Sequence, residues 1–133
     1  PLANLSKKLK GEIKYHVFHA DTLIKQLGNG TEESNSRLQT SLNEAFPLAL
    51  GIFETGDYED QLKADGIFDG EEALKAKWLE QIQPALERAS LKMPDINQTE
   101  PSFGGRKGFH TEHLKPLLEE MTEVFQVDPD AEW

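Results

Sequence analysis

The sequence predicts an all-α protein. Two observations carry this. Apolar residues recur at steps of three and four in four separate segments, the spacing that puts them on one face of a helix. Between those segments stand clusters of Gly, Pro, Asn and Asp that punctuate the chain as turns and loops, and no stretch reads as a strand.

The first helix covers Pro1 to Leu27, with its face drawn by Leu2, Leu5, Leu9, Ile13, Val17, Ala20, Ile24 and Leu27. Gly28 follows at the place of a C′ residue, and "LGNGTEESN" reads as a turn. The second helix carries Leu38, Leu42, Phe46, Ala49 and Phe53, with Pro47 inside it as an expected kink. "ETGDYEDQLKADGIFDG" is a connector with one short helix around Tyr58 to Leu62. Asp69 and Glu72 have capping-box spacing ahead of the third main helix. That helix is drawn by Leu74, Trp78, Ile82, Leu86 and Ala89, with Pro84 as a second expected kink. "KMPDINQTEPSFGGRKG" is a long loop. Thr111 is placed to cap the last helix, whose apolar face is Leu114, Leu117, Leu118, Met121 and Phe125, with Glu119, Glu120 and Glu123 toward water.

The 133 residues suit one domain, 1–133, and are too few to expect two. Formal net charge is -10, a surface that repels phosphate backbones, so nucleic acid is not an expected partner. No apolar run approaches a membrane span. The absence of cysteine excludes disulfides and thiolate metal sites and fits a reducing, cytoplasmic setting. The first residue is Pro1 and a helix is already under way there, which suggests that the chain begins inside a longer protein. Isolated amphipathic helices are marginal in water and depend on burying their stripe. The first helix is apolar along its whole length. Partner helices are therefore expected, from another copy or from a longer chain.

Three groups of residues hold potential chemistry. Glu12, His16 and His19 share one side of the first helix at i,i+4 and i,i+3 spacing, a candidate metal site. The Glu-x-x-His pairs that bind di-iron in helical bundles are missing: the residue three after Glu12 is Tyr15. The bland reading is a patch of hydrogen-bonded histidines. "HTEH", with His110 and His113, has side chains suited to metal or acid–base work, but no nucleophile stands beside it in a recognised context. Glu112 there is placed to complement a helix N-terminus. "GGRKG" lacks the spacing and the preceding strand of a phosphate loop. Arg106 and Lys107 are set to hold an anion near a helix N-terminus or to pair with acidic side chains of a partner. Trp78 and Trp133 read as core or interface anchors.

"GGRKGFHTEHLKPLLEEM" with Trp133, and "EIKYHVFHADTLIKQLGNGTEES" with its "LGNGT" turn, resemble two separated signatures of a known family, the structural C subunits of bacterial ring-1,2-phenylacetyl-CoA epoxidases. The resemblance covers nearly the whole chain, with Trp78 in the intervening helix. It implies a ferritin-like helical bundle, here a partial bundle of about four main helices completed by self-association or by further helices. Members of that family are substantially longer, and this chain corresponds to their C-terminal part. The resemblance implies a non-catalytic structural subunit of a multicomponent monooxygenase in aerobic phenylacetate degradation. Its partners would be the catalytic subunit that holds the di-iron site, a further small subunit, and a flavin/iron-sulfur reductase. No cofactor is then expected in this chain, and Arg106, Lys107, His110, Glu112 and His113 are the expected partner-binding residues. Two alternatives stand beside it: a di-iron oxygenase subunit with ligands from Glu12, His16 and His19, and a generic helical interaction module.

Overall fold

A computed structural model describes residues 2–131; Pro1 and Trp133, and the expectations placed on them, lie outside the described residues. Helices α1 (Leu2–Gly28), α2 (Glu32–Gly51), α3 (Glu59–Ala64), α4 (Glu71–Arg88) and α5 (Leu114–Val127) follow one another, with no strand among the described residues. The architecture is all-α, a partial ferritin-like bundle of four main helices and one short one.

The core forms where the last third of α1 meets α2 and α4. Leu86, Ala89 and Leu91 are buried there, with Ile24, Leu38, Leu42, Ile82 and Met93 packed against them. Nearer the other end of α2, the rings of Phe46 and Phe53 lie 6.2 and 5.4 Å from that of Trp78 on α4. Burial of these aromatic and aliphatic side chains is the main favourable term holding the helices together. Beyond this zone the periodic faces find nothing to cover them. Residues 3–20 of α1 are exposed throughout, and α5 has no buried residue.

Several local expectations give way to tertiary packing. The turn after α1 is only Asn29–Gly30 long, because Thr31 starts α2 at once. Its hydroxyl accepts from the Ser34 N–H at 3.1 Å, satisfying one of the orphan donors of the first turn. Glu32 and Glu33 complement the same positive helix end. Gly28 is not a left-handed C′ residue. It is the last helical residue, and a Cβ there would run into the Ala89 carbonyl, so glycine is needed for the approach of α1 to the end of α4. Pro47 and Pro84 lie inside α2 and α4, and both helices continue past them.

Asp69 does not cap α4. The cap position is Gly70 at φ 98, and Asp69 instead pairs with Lys77 at 3.1 Å. Thr111 does not cap α5 through its side chain either. His113 occupies the cap position without a side-chain bond, and only the Thr111 carbonyl is used, by the Leu114 N–H at 3.2 Å.

The end of α4 is closed by a Schellman motif. Leu91 N–H donates to the Leu86 carbonyl at 3.0 Å, and Ser90 N–H to that of Glu87 at 3.1 Å. Ser90 takes the left-handed conformation, φ 56, that glycine usually supplies. Its hydroxyl donates to Asn29 Oδ1 at 2.8 Å. The Asn29 amide donates to the carbonyls of Lys25 and Arg88 at 3.0 and 2.9 Å. The Asn35 amide in turn donates to Gly28 and Ser90 carbonyls at 2.7 and 3.1 Å. The "NGTEESN" segment is thus a polar clasp between the α1–α2 turn and the end of α4. Asn29→Ala is expected to cost about 0.5–1.5 kcal/mol, the net worth of a hydrogen bond that water can replace; thermal unfolding would check it.

Candidate functional site

The glycine loop folds onto the far end of the core from that clasp. Gly104 (φ 113) and Gly108 (φ 85) adopt left-handed backbone on either side of a single 3-10 turn, Gly105–Lys107, a conformation open to glycine at no steric cost. This places two N–H donors on one point. Gly104 N–H donates to Glu54 Oε2 at 2.9 Å, and Arg106 N–H donates to the same oxygen at 3.2 Å. The loop is therefore an anion nest, and the anion it holds is a carboxylate of its own chain.

The Arg106 side chain continues the network. Its guanidinium donates to Glu71 Oε1 at 2.6 Å and to the Ile52 carbonyl at 3.3 Å. Glu71 opens α4, and its N–H donates to Glu59 Oε1 at 3.2 Å. Glu59 of α3 thus does the capping that the sequence assigned to Asp69. Lys63, one turn on, pairs with Glu59 at 2.5 Å, and a Cβ on Gly70 would strike the Lys63 side chain. Glu54, Glu59 and Glu71 are all buried, at 7, 6 and 6 % exposure. Buried carboxylates persist only when paired and hydrogen-bonded, and here Arg106, Lys63 and backbone donors serve them. Ser102 N–H donates to the Pro47 carbonyl at 2.9 Å, where a Cβ on Gly51 would collide with Ser102. Loop, α2, α3 and α4 are tied at one place.

This environment shifts two of the carboxyls, those of Glu54 and Glu59. The Gly104 and Arg106 N–H bonds, helped by the Lys107 and Arg106 charges, hold Glu54 below its ordinary value of 4.5. The bond from Lys63, then the Glu71 N–H and the nearby cations, do the same for Glu59. A carboxyl lowered in the folded state stabilises it above the unfolded value, and that contribution is lost as pH falls through the lowered one. Acidification below 4.5 should therefore release the loop, read as faster amide exchange at Gly104 and Arg106. In Glu54→Gln the exchange at both amides should be fast already at neutral pH. Lys63 is raised above 10.5 by the Glu59 bond. Its contribution is full below 10.5 and fades in stronger alkali.

The residues singled out from the sequence separate into groups. Arg106 is exposed but its guanidinium is engaged by the buried Glu71, while Lys107, His110, Glu112 and His113 are exposed. His110 and His113 border an open apolar groove lined by Leu48, Phe103, Phe109 and Leu117. Glu12, His16 and His19 stand on the exposed part of α1, where Tyr15 lies against both histidine rings at 6.1 and 6.2 Å. Among the described residues no three His, Asp or Glu side chains are placed to share a metal ion. Glu54, Glu59, Glu71 and Lys63 were not legible as a site. Their only linear signal is a connector rich in acids and glycines, and the loop residues they meet lie 35 to 52 residues away.

Fold and site together define a partial helical bundle with two uncovered apolar helix faces and a glycine loop clasped to buried carboxylates. The whole chain, residues 1–133, matches the phenylacetic acid catabolic protein family, and it belongs to that family. It is 31% identical to the C subunit of 1,2-phenylacetyl-CoA epoxidase of Escherichia coli (strain K12) over 132 residues, covering 99% of this chain and 52% of that relative. The chain thus spans about half the length of the curated relative it matches. No helix among the described residues is long and apolar enough to cross a membrane.

Proposed function

We propose that this chain serves in a structural, non-catalytic subunit of a phenylacetyl-CoA ring epoxidase, as the C-terminal part of that subunit, in the cytoplasm. In that reading it supports the catalytic di-iron subunit, beside a further small subunit and a flavin/iron-sulfur reductase, and it associates with itself through its uncovered helices. The observation that carries the reading is the bare apolar faces of α1 and α5, the latter preceded directly in sequence by the exposed Lys107, His110, Glu112 and His113. Contiguous apolar surface of this kind is characteristic of interaction sites. The resemblance to the epoxidase relative supplies the identity of the partner and the substrate.

The loop contributes by being held in one shape. Arg106 fixes the turn from which Lys107 and the two histidines project, so pre-organisation rather than direct contact is its role. Arg106→Ala is expected to weaken association with the catalytic subunit about tenfold, the equivalent of about 1.4 kcal/mol, and to leave iron content unchanged. The deciding experiment is co-purification of the protein with the catalytic di-iron subunit, read by light scattering and iron analysis together. A stable complex with all iron in the catalytic subunit is the expected result. Iron bound by this protein alone, and lost in His16→Ala, would establish a metal site of its own and overturn the structural role.

A further inference from the structure

We propose that Asn29 is a site of spontaneous deamidation, that the closed clasp holds the reaction off, and that the aspartate it forms unlatches α1 from the end of α4.

The reactive element is local. Of the asparagines in the chain, Asn29 alone is followed by glycine. Glycine leaves the backbone nitrogen unshielded by a side chain and the backbone free to turn. The Gly30 nitrogen is therefore the one best able to reach the carbonyl carbon of an asparagine side chain. In the reaction the Gly30 nitrogen gives up its proton and bonds to Asn29 Cγ. The Cγ–Nδ2 bond breaks, and the side-chain nitrogen leaves with that proton as ammonia. Water then opens the cyclic imide at either of its two carbonyls. One opening gives aspartate, and the other gives isoaspartate, in which the main chain runs through the former side-chain carbon.

The fold engages both reactants. Asn29 is exposed, so water reaches it, yet its side chain is held at each polar atom. The amide donates to the Lys25 and Arg88 carbonyls at 3.0 and 2.9 Å, and its oxygen accepts from the Ser90 hydroxyl at 2.8 Å. The Asn29 N–H donates to the Lys25 carbonyl at 3.1 Å and the Gly30 N–H to that of Leu27 at 3.4 Å, which fixes the turn. The side chain has to leave all three partners before Cγ can meet the Gly30 nitrogen. Deamidation therefore waits on a local opening of the clasp.

The product does not fit back. A carboxylate only accepts hydrogen bonds, so aspartate at this position has no hydrogen for the Lys25 and Arg88 carbonyls. Its charge also falls at the C-terminal ends of α1 and α4, where the helix dipoles are already negative. The Arg88 guanidinium, which could offset that charge, is committed to Asp21 at 2.7 Å. Isoaspartate lengthens the main chain directly after Gly28, where even a Cβ would strike the Ala89 carbonyl. The loss of ammonia makes the change one-way.

The test is peptide mass spectrometry of the protein held at neutral to mildly alkaline pH, folded and in urea, with aspartate and isoaspartate at position 29 separated by chromatography. Two variants accompany it. Ser90→Gly removes only the hydroxyl, and glycine suits the left-handed backbone there, φ 56. Asn29→Asp carries the product. In urea Asn29 should convert several-fold faster than every other asparagine, with both products present. In the folded protein it should convert at least about tenfold more slowly than in urea, as for a reaction gated by opening. Ser90→Gly should speed the folded rate several-fold and leave the rate in urea unchanged. Asn29→Asp should speed amide exchange at Ser90 and Leu91 and lower the thermal midpoint at least as far as Asn29→Ala. Conversion in urea no faster than at the other asparagines, a folded rate equal to that in urea, a wild-type rate in Ser90→Gly, or wild-type exchange in Asn29→Asp would each overturn the proposal.

Discussion

Phe46→Ala is expected to destabilise the protein by about 3–5 kcal/mol, the range for truncating a buried aromatic ring. Phe46 is 2 % exposed and sits 6.2 Å from the ring of Trp78. Its removal leaves a cavity between α2 and α4 that neither helix can close without losing contacts elsewhere. Single domains are stable by only about 5–15 kcal/mol, so one substitution takes a large share. Urea unfolding should show a much lower midpoint with little change in slope. A loss below about 1 kcal/mol would mean that the α2–α4 aromatic contact is not formed in solution.

The second large effect separates packing from helix propensity. Gly28 and Gly11 are both helical glycines in α1, and propensity alone says that alanine improves each by about 0.5–1 kcal/mol. At Gly11 a Cβ meets nothing within 4 Å, but at Gly28 it meets the Ala89 backbone carbonyl and Cβ. Backbone cannot swing aside as a flexible side chain does. Gly28→Ala is therefore expected to destabilise by about 1–3 kcal/mol or more, the cost of overpacking, while Gly11→Ala stabilises. Opposite signs in denaturant midpoints would establish the seating of α1 on α4. Equal gains at both positions would refute it.

These two residues also show where sequence reading stops. Leu86, Ala89, Phe46 and Trp78 were legible as core because periodicity puts them on inward faces, and the structure buries or half-buries all four. Gly28 was legible as a helix end but not as a contact point, since the Ala89 carbonyl it makes room for lies beyond any local pattern. Asp69 and Glu72 matched a capping box, and the cap went instead to Glu59, which lies 12 residues before Glu71. Once α3 folds back on α4, that carboxylate is already buried beside the Glu71 N–H, and Asp69 is left to solvent and Lys77. Thr111 failed as a cap for a similar reason: the chain enters α5 through a turn at Thr111–His113 that leaves only its carbonyl in reach.

The glycine loop was legible as a place where left-handed backbone and cations converge. Which anion it holds was not. Arg106 and Glu71 are 35 residues apart, and Gly104 and Glu54 are 50 apart. No spacing rule links such pairs; only the packing of α2 against α4 brings them together.

The helical class, the positions of the main helices, the acidic surface and the two apolar faces left uncovered on α1 and α5 are all written in local sequence. Each is set by residues within one or two turns of each other or by simple composition. Which carboxylate fills the glycine nest, which glycine admits a neighbouring helix and which polar groups clasp α1 to α4 emerge only in the folded chain. Those outcomes depend on contacts between distant segments, where burial favours arrangements that give buried donors and charges a partner.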